Sequence, residues 1–405
     1  MRTILCLLLS SAMYAPFGQT SFAAPVADTP PTVTQANNQF AVDLYGQLSK
    51  AQPGGNLFFS PASISVALAM TAAGAGGQTE AEMAQVLHLN GILPQAHLEY
   101  RKALERWNST DKDRGYELRV ANRLWGQKSF PFLASYLTLT RQEYGAELGL
   151  VDYVGQTEAA RQEINAWVEK QTAEKIKDLI QKSDVDHLTR LVLTNAIYFK
   201  GDWAGQFKKD QTHDEDFTVS SARKVKVPMM HQTRRYRFVR TGALQVLELP
   251  YKGDELSMLV LLPAARDGLN DLEQSLSASR IADLQAGLWS QKVEVHLPKF
   301  RLETSFSMKT TLDGLGMRLP FTAAADFSGM DGRQDLHLSA VVHKAFVEVN
   351  EKGTEAAAAT GGVLTFKAAR PEPLVVFRAD HPFVFMICDN RDGSILFLGR
   401  VTDPR

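Results

Sequence analysis

Residues able to do covalent, metal or redox chemistry are scattered through this 405-residue chain, and few fall at the spacings such chemistry needs. An activated serine calls for a Gly-x-Ser-x-Gly elbow, a zinc hydrolase for a His-Glu-x-x-His helix, and a redox pair or zinc knuckle for Cys-x-x-Cys; none occurs. Gly74-Ala75-Gly76-Gly77 lacks the spacing of a dinucleotide loop and follows a helical pattern, and no phosphate loop ending in Gly-Lys-Ser/Thr is present. His213-Asp214-Glu215-Asp216 could hold a cation but reads as a solvated acidic loop. Arg234, Arg235, Arg237 and Arg240 could meet an anionic polymer but read as charged positions on a surface strand or loop. Cys388, within Phe383-Val384-Phe385-Met386-Ile387-Cys388, reads as a small buried side chain rather than a nucleophile. No enzyme, cofactor or metal is expected.

The stretch from Val341 to Arg370 stands apart. Val341, His343, Ala345, Val347 and Val349 alternate with Val342, Lys344, Phe346, Glu348 and Asn350, which is a strand with His343 on its more apolar face. A histidine there is expected to be a structural hydrogen-bonding group. Directly after it comes Glu351-Lys352-Gly353-Thr354-Glu355-Ala356-Ala357-Ala358-Ala359-Thr360-Gly361-Gly362, too small-sided to anchor a core. By composition alone this is a flexible loop. Parity changes the reading: as a strand, Thr354, Ala356, Ala358 and Thr360 would share one small, uncharged face, with Glu355 opposite. A segment that must slide into a sheet over a packed core needs such a face, because a buried unpaired charge costs several kcal/mol.

The elements around this stretch follow from pattern. The first half is mainly helical: Phe40 to Leu48, then a helix opened by Ser60 as N-cap with Pro61 at its first position, ended by Gly74, Gly76 and Gly77. Thr79 and Glu82 form a capping-box pattern for the next helix, and Glu158 to Gln171 and Ile176 to Leu179 continue the helical character. The second half is mainly strand: Leu191 to Phe199, Leu256 to Leu262, Val293 to Leu297, Leu374 to Phe377, Phe383 to Cys388 and Ile395 to Val401. Helices first and strands later predict an α+β arrangement.

Composition is ordinary: 44% hydrophobic, 22% charged, formal net charge -1. That excludes disorder, and near-neutrality removes non-specific nucleic-acid binding as a default. Met1-Arg2, the apolar run Ile4 to Leu9 and the small ending Ala23-Ala24 make a secretory signal peptide over residues 1–23, too short in its apolar part to span a membrane. Cleavage after Ala23 removes Cys6 and leaves Cys388 without an internal partner. Residues 24–35, with Pro25, Pro30 and Pro31, read as a flexible arm, and residues 36–405 as one uninterrupted domain. The protein is expected to be secreted, into a periplasm or the extracellular space, and a bacterial source fits the lack of disulfides.

Nearly the whole mature chain resembles the serpin family. The resemblance rests on Asn56-Leu57-Phe58-Phe59-Ser60-Pro61-Ala62-Ser63-Ile64, on the glycine-rich turn into Thr79-Glu80-Ala81-Glu82-Met83, and on Thr194-Asn195-Ala196-Ile197-Tyr198-Phe199-Lys200-Gly201-Asp202-Trp203. Val227-Pro228-Met229-Met230, Leu297-Pro298-Lys299-Phe300, the run Glu351 to Ala359 and His381-Pro382-Phe383 complete it in family order. It implies a single domain of three β-sheets with a central five-stranded sheet and about eight or nine helices. It also implies a secreted suicide inhibitor of serine proteases. Its exposed reactive centre loop, about residues 351–373, is cut, forms an acyl-enzyme and then inserts into the central sheet, trapping the protease.

By the same resemblance the hinge is Gly353, Thr354, Glu355, Ala356, Ala357, Ala358 and Ala359. The sheet-opening shutter is Ser60, Ser63, Asn195 and His343; the upper entry point, or breach, is Trp203, Thr212, Lys299 and Glu351. Counting seventeen residues from the hinge glutamate Glu351 places the reactive bond at Lys367-Ala368, which suits a trypsin-like protease with an acidic specificity pocket. A cut after Phe366 would suit chymotrypsin-like enzymes, Arg370 is another basic candidate, and elastase-like or cathepsin-like targets stay open. The inhibitor is expected to be a monomer with a tendency to polymerise, and to bind neither nucleic acid nor membrane. The alternative is a non-inhibitory serpin acting as a ligand carrier or chaperone.

Overall fold

In the computed structural model, which describes residues 31–109, 111, 114–354 and 373–405, five strands lie side by side. Their order is β10 (Phe300–Ser307), β11 (Ala340–Val349), β4 (Leu191–Asp202), β2 (Tyr116–Gln127) and β3 (Gly149–Val151). β10 and β11 are antiparallel, as are β4 and β2, but β11 and β4 run parallel, with His343 opposite Asn195. The chain leaves β11, turns within Asn350-Glu351-Lys352-Gly353 and begins β12 (Gly353–Thr354). This two-residue strand pairs antiparallel with Asp202 and Gly201 at the end of β4.

A second ladder has the order β1 (Leu57–Phe59), β15 (Ile395–Val401), β14 (Phe383–Asp389), β8 (Leu256–Pro263), β7 (Leu244–Pro250), β6 (Arg223–Thr241), β9 (Trp289–Pro298) and β13 (Val375–Arg378). β5 (Thr212–Ser220) pairs with the first part of β6. The expected third sheet is therefore not a separate ladder. The 19-residue β6 serves both parts: its early residues pair with β5 and β9, and Arg237 to Thr241 pair with β7. Between the two ladders runs α2 (Pro61–Ala72), every residue of which is buried. A helix apolar all round belongs inside a core, and Ser60 caps it through a bond from the Ser63 amide. Among the described residues no helix is long and apolar enough to cross a membrane.

Three expectations are corrected. First, the arm does not extend to residue 35: α1 (Val33–Ala51) starts two residues earlier, fixed by a capping box between Thr32 and Gln35. Second, Thr79 and Glu82 make no capping box. α3 (Gly77–Val86) begins at Gly77, Thr79 Oγ1 accepts from the Asp326 amide, and Glu82 accepts from the Arg318 and Leu319 amides.

Third, Ile176 to Leu179 is irregular chain. Ala173, Glu174 and Asp178 take positive φ, which breaks a helix. The loop still buries Ile176, Leu179 and Ile180 against α6 (Tyr153–Gln171), where Asn165 satisfies both the amide and the carbonyl of Ile180. The described residues hold ten α-helices, in keeping with the expected number of about eight or nine, and these include short pieces such as α9 (Lys309–Gly314) and α10 (Ser328–Asp331), too brief to leave a periodic signal. The architecture as a whole is a single α+β domain.

Candidate functional site

The parallel pair β4–β11 is closed from below by a buried polar cluster. Ser60 and Ser63 come from the first turn of α2, Asn195 from β4 and His343 from β11, and each is 1% exposed or less. The Ser60 amide donates to His343 Nε2 at 3.2 Å, so the imidazole carries its proton on Nδ1 and donates it to Asn195 Oδ1. Asn195 Nδ2 donates in turn to Ser63 Oγ at 2.7 Å and to Asn122 Oδ1. Ser60 Oγ donates to the Leu396 carbonyl of β15 at 2.6 Å. Burial pushes the pKa of His343 down to about 3, against a smaller upward push from Asn195, so the ring stays neutral. One network thus ties both strands of the pair to α2 and to the second ladder.

Sequence reasoning missed Asn122. It lies on β2, a strand not anticipated because Glu117, Arg119 and Arg123 interrupt its apolar residues. The alternation of Tyr116, Leu118 and Leu124 was the available signal.

Above the pair sits a second cluster, around the turn that leads to β12. Glu351 is 5% exposed, and its carboxylate takes Lys299 Nζ at 3.0 Å and the Thr212 hydroxyl at 3.0 Å. Trp203 Nε1 donates to the Asn350 carbonyl at 3.0 Å, while its ring stacks on Tyr251 with centroids 4.6 Å apart. The backbone amides of Trp203 and Phe207 donate to the carbonyls of Lys352 and Glu351. Trp203, Thr212, Lys299 and Glu351 are thus brought together in the structure, with Tyr251, Phe207 and Asn350 as partners the sequence did not single out. Burial raises the Glu351 pKa, but its own backbone amide, Lys299 and Thr212 outweigh that and hold it below the ordinary carboxylate value.

Gly353 opens β12 where only glycine fits. Its φ is +140°, and a Cβ there would lie 2.1 Å from the Gly201 carbonyl oxygen and 2.7 Å from the Asp202 Cα. Of the remaining expected site residues, Glu355 to Ala359 and the bond Lys367-Ala368 lie outside the described residues.

Two outcomes are expected. Gly353→Ala forces β12 off β4, so amide exchange should rise about tenfold or more in peptides covering 200–203 and 350–354; unchanged protection would mean that this close contact does not hold the turn. Glu351, with its folded pKa lowered, contributes stability above the unfolded carboxylate range and loses it as pH falls through the lowered value. Glu351→Gln should therefore lower Tm by about 2–6 °C at neutral pH. It should also flatten the acid decline that the wild type begins below about pH 4.5. An identical acid decline in both proteins would assign the effect to other groups.

Comparison with known proteins accords with this geometry. Residues 35–404 match the family model described as Serpin (serine protease inhibitor). The leukocyte elastase inhibitor of Sus scrofa is 43% identical over 380 residues, covering 92% of this chain and 99% of the relative. That of Homo sapiens is 42% identical over 388 residues, with the same coverage. The solved structure of uncleaved ovalbumin superposes with a TM-score of 0.84 at 29% identity, covering 92% of this chain and 100% of that one. The chain belongs to the serpin family and is a serine protease inhibitor, not an enzyme.

Proposed function

We propose that this serpin is an exported suicide inhibitor, and that it traps a trypsin-like protease by offering Lys367-Ala368 as bait. The observation that carries the proposal is the position of β12. The first two residues of the hinge are already paired with the end of β4, directly above the place where β4 and β11 run parallel. The small, uncharged parity of Thr354, Ala356, Ala358 and Thr360 suits continuation of that strand between them.

In the reaction the protease serine oxygen attacks the Lys367 carbonyl, the bond to Ala368 breaks, and the departing amine of Ala368 takes a proton from the protease histidine. This leaves an ester between the protease and Lys367. The freed segment then enters the sheet at the hinge and carries the ester-linked protease with it before water can complete hydrolysis. A strand of about a dozen residues, at very roughly 1 kcal/mol per net hydrogen bond, supplies on the order of 10 kcal/mol. The folded chain before cleavage is then held by a kinetic barrier. Export with removal of residues 1–23 is part of the same proposal. It is supported by the leader pattern and by a family match that begins behind it, at residue 35.

A second reading of the target is favoured by the relatives named leukocyte elastase inhibitor. Val363, Leu364 and Phe366 would serve as apolar bait for an elastase-like or chymotrypsin-like enzyme.

Incubation with trypsin, chymotrypsin and pancreatic elastase, followed by boiling in detergent and electrophoresis, separates these readings. A boiling-resistant complex with trypsin, lost in Lys367→Ala, is expected. Equal trapping of trypsin by Lys367→Ala would refute that bond, and complexes with elastase alone would establish the second reading. Cleavage without any complex would favour a carrier role. The mass of the secreted protein should correspond to a chain starting at Ala24; a retained leader would overturn export by this route.

A further inference from the structure

In the part of the second ladder formed by β5, β6, β9 and β13, three residues far apart in sequence turn metal-ligating atoms toward one point. They are Glu215 of β5, His231 of β6 and His296 of β9. The pairing of β6 with β9 sets His231 directly opposite His296, with ring centroids 4.1 Å apart. Glu215 reaches them from the other side of β6, its Oε1 lying 2.7 Å from His231 Nε2 and 4.0 Å from His296 Nδ1. All three donor atoms lie within 4.8 Å of one another.

We infer that Glu215, His231 and His296 form a binding site for a transition-metal ion of the Zn2+ class. Bonds of about 2.0–2.2 Å to a tetrahedral zinc put donor atoms about 3.3 Å apart, so small side-chain shifts convert the present spacing into a ligand set. Two unsatisfied atoms point the same way. His296 is 2% exposed, and its Nδ1 is buried with no hydrogen-bond partner; His231 Nε2 is likewise buried and makes no hydrogen bond. The short approach of His231 Nε2 to Glu215 is not aligned as a hydrogen bond, although the distance alone would allow one. A buried imidazole nitrogen without a partner is costly, and a metal ion satisfies both at once.

The surroundings suit the assignment. His296 Nε2 lies 3.1 Å from Glu294 Oε1, the carboxylate–histidine arrangement that orients a metal-bound imidazole through its far nitrogen. Arg378 of β13 pairs with Glu215 through the other carboxylate oxygen, Oε2, which leaves Oε1 for the ion. Arg378 Nη2 also stands 3.2 Å from His296 Nε2, and that contact must give way when Nε2 carries the proton for Glu294. Two imidazoles and one carboxylate select borderline ions such as Zn2+ over Ca2+ or Mg2+, which want oxygen alone, and leave a fourth position for water. The ion would bridge three strands and, through Arg378, hold β13, which follows the reactive segment in the chain.

The full-length mature protein, stripped with EDTA and dialysed, should take up one equivalent of Zn2+ with a dissociation constant of about 1 µM or below by titration against a chromophoric chelator. Excess Zn2+ should raise its Tm by a few degrees, and Co2+ should give the visible absorption of a four-coordinate site. Glu215→Gln and His231→Ala, both at half-buried positions, should each weaken binding more than tenfold while circular dichroism stays native. His187→Ala, at an exposed histidine in the loop that precedes β4, should bind normally. No uptake by the wild-type protein at about 100 µM free Zn2+ would overturn the site whatever the variants do. Binding that survives both Glu215→Gln and His231→Ala would overturn it equally.

Discussion

The hydrogen bonds that close β4 against β11 are the constraint on which the rest of the molecule depends. Two parallel neighbours in the middle of a sheet would be separable along their length if nothing crossed beneath them. Here His343 and Asn195 face each other across the join, and the start of α2 grips both. Ser60, Ser63, Asn195 and His343 are fully buried and Asn122 is partly so, and a chain of bonds runs from the Ser60 amide through His343 to Asn195 and on to Ser63 and Asn122. Removing any one partner leaves another buried polar atom unsatisfied, at about 1–3 kcal/mol. A cluster of this kind holds firmly while intact, and it can exchange partners if the strands separate, because all its members are neutral.

The upper cluster around Glu351 works by different physics. Its central bond is ionic and half open to solvent through Lys299, whose side chain is 38% exposed. Such a contact is worth less than a fully buried pair but yields more readily. The stacked Trp203 and Tyr251 give the turn a rigid floor, and the glycine that follows lets the chain approach β4 more closely than any side chain allows. A firm neutral lock below and a softer ionic latch above suit a sheet that opens first at one end.

Much of this was legible in the sequence, for identifiable reasons. The strand β11 and the depth of His343 followed from strict alternation. The cap at Ser60 followed from a serine-proline pair ahead of an apolar run. What stayed hidden was whatever depended on chain segments meeting from a distance. Asn122 carries no local mark of its role, since its strand is studded with charges that solvent accommodates. Thr79 and Glu82 resembled a local cap because residue spacing cannot reveal that Asp326 and Arg318 arrive to take their hydrogen bonds. Ile176 and Leu179 sit at helical spacing, yet positive φ at Asp178 shows that burial alone dictated those apolar residues. The two histidines beside Glu215 were invisible for the same reason, being brought together only by the pairing of β6 with β9.

The direction of β12 has a consequence for the accounting of backbone amides. β10 runs antiparallel to β11, β2 antiparallel to β4, and β12 antiparallel to β4, so among the described strands the alternation fails at the central β4–β11 join, as it also does at the edge where β2 and β3 run parallel. A strand continuing β12 downward would run antiparallel to both neighbours and restore it at the centre. The amides and carbonyls of β4 and β11 that now bond each other would merely change partners, trading slanted bonds for perpendicular ones. The difference between closed and filled sheets would then come almost wholly from the newcomer's own backbone groups, moved from water into a ladder. Its length, rather than any rearrangement of the host strands, would set how much work the transition can do.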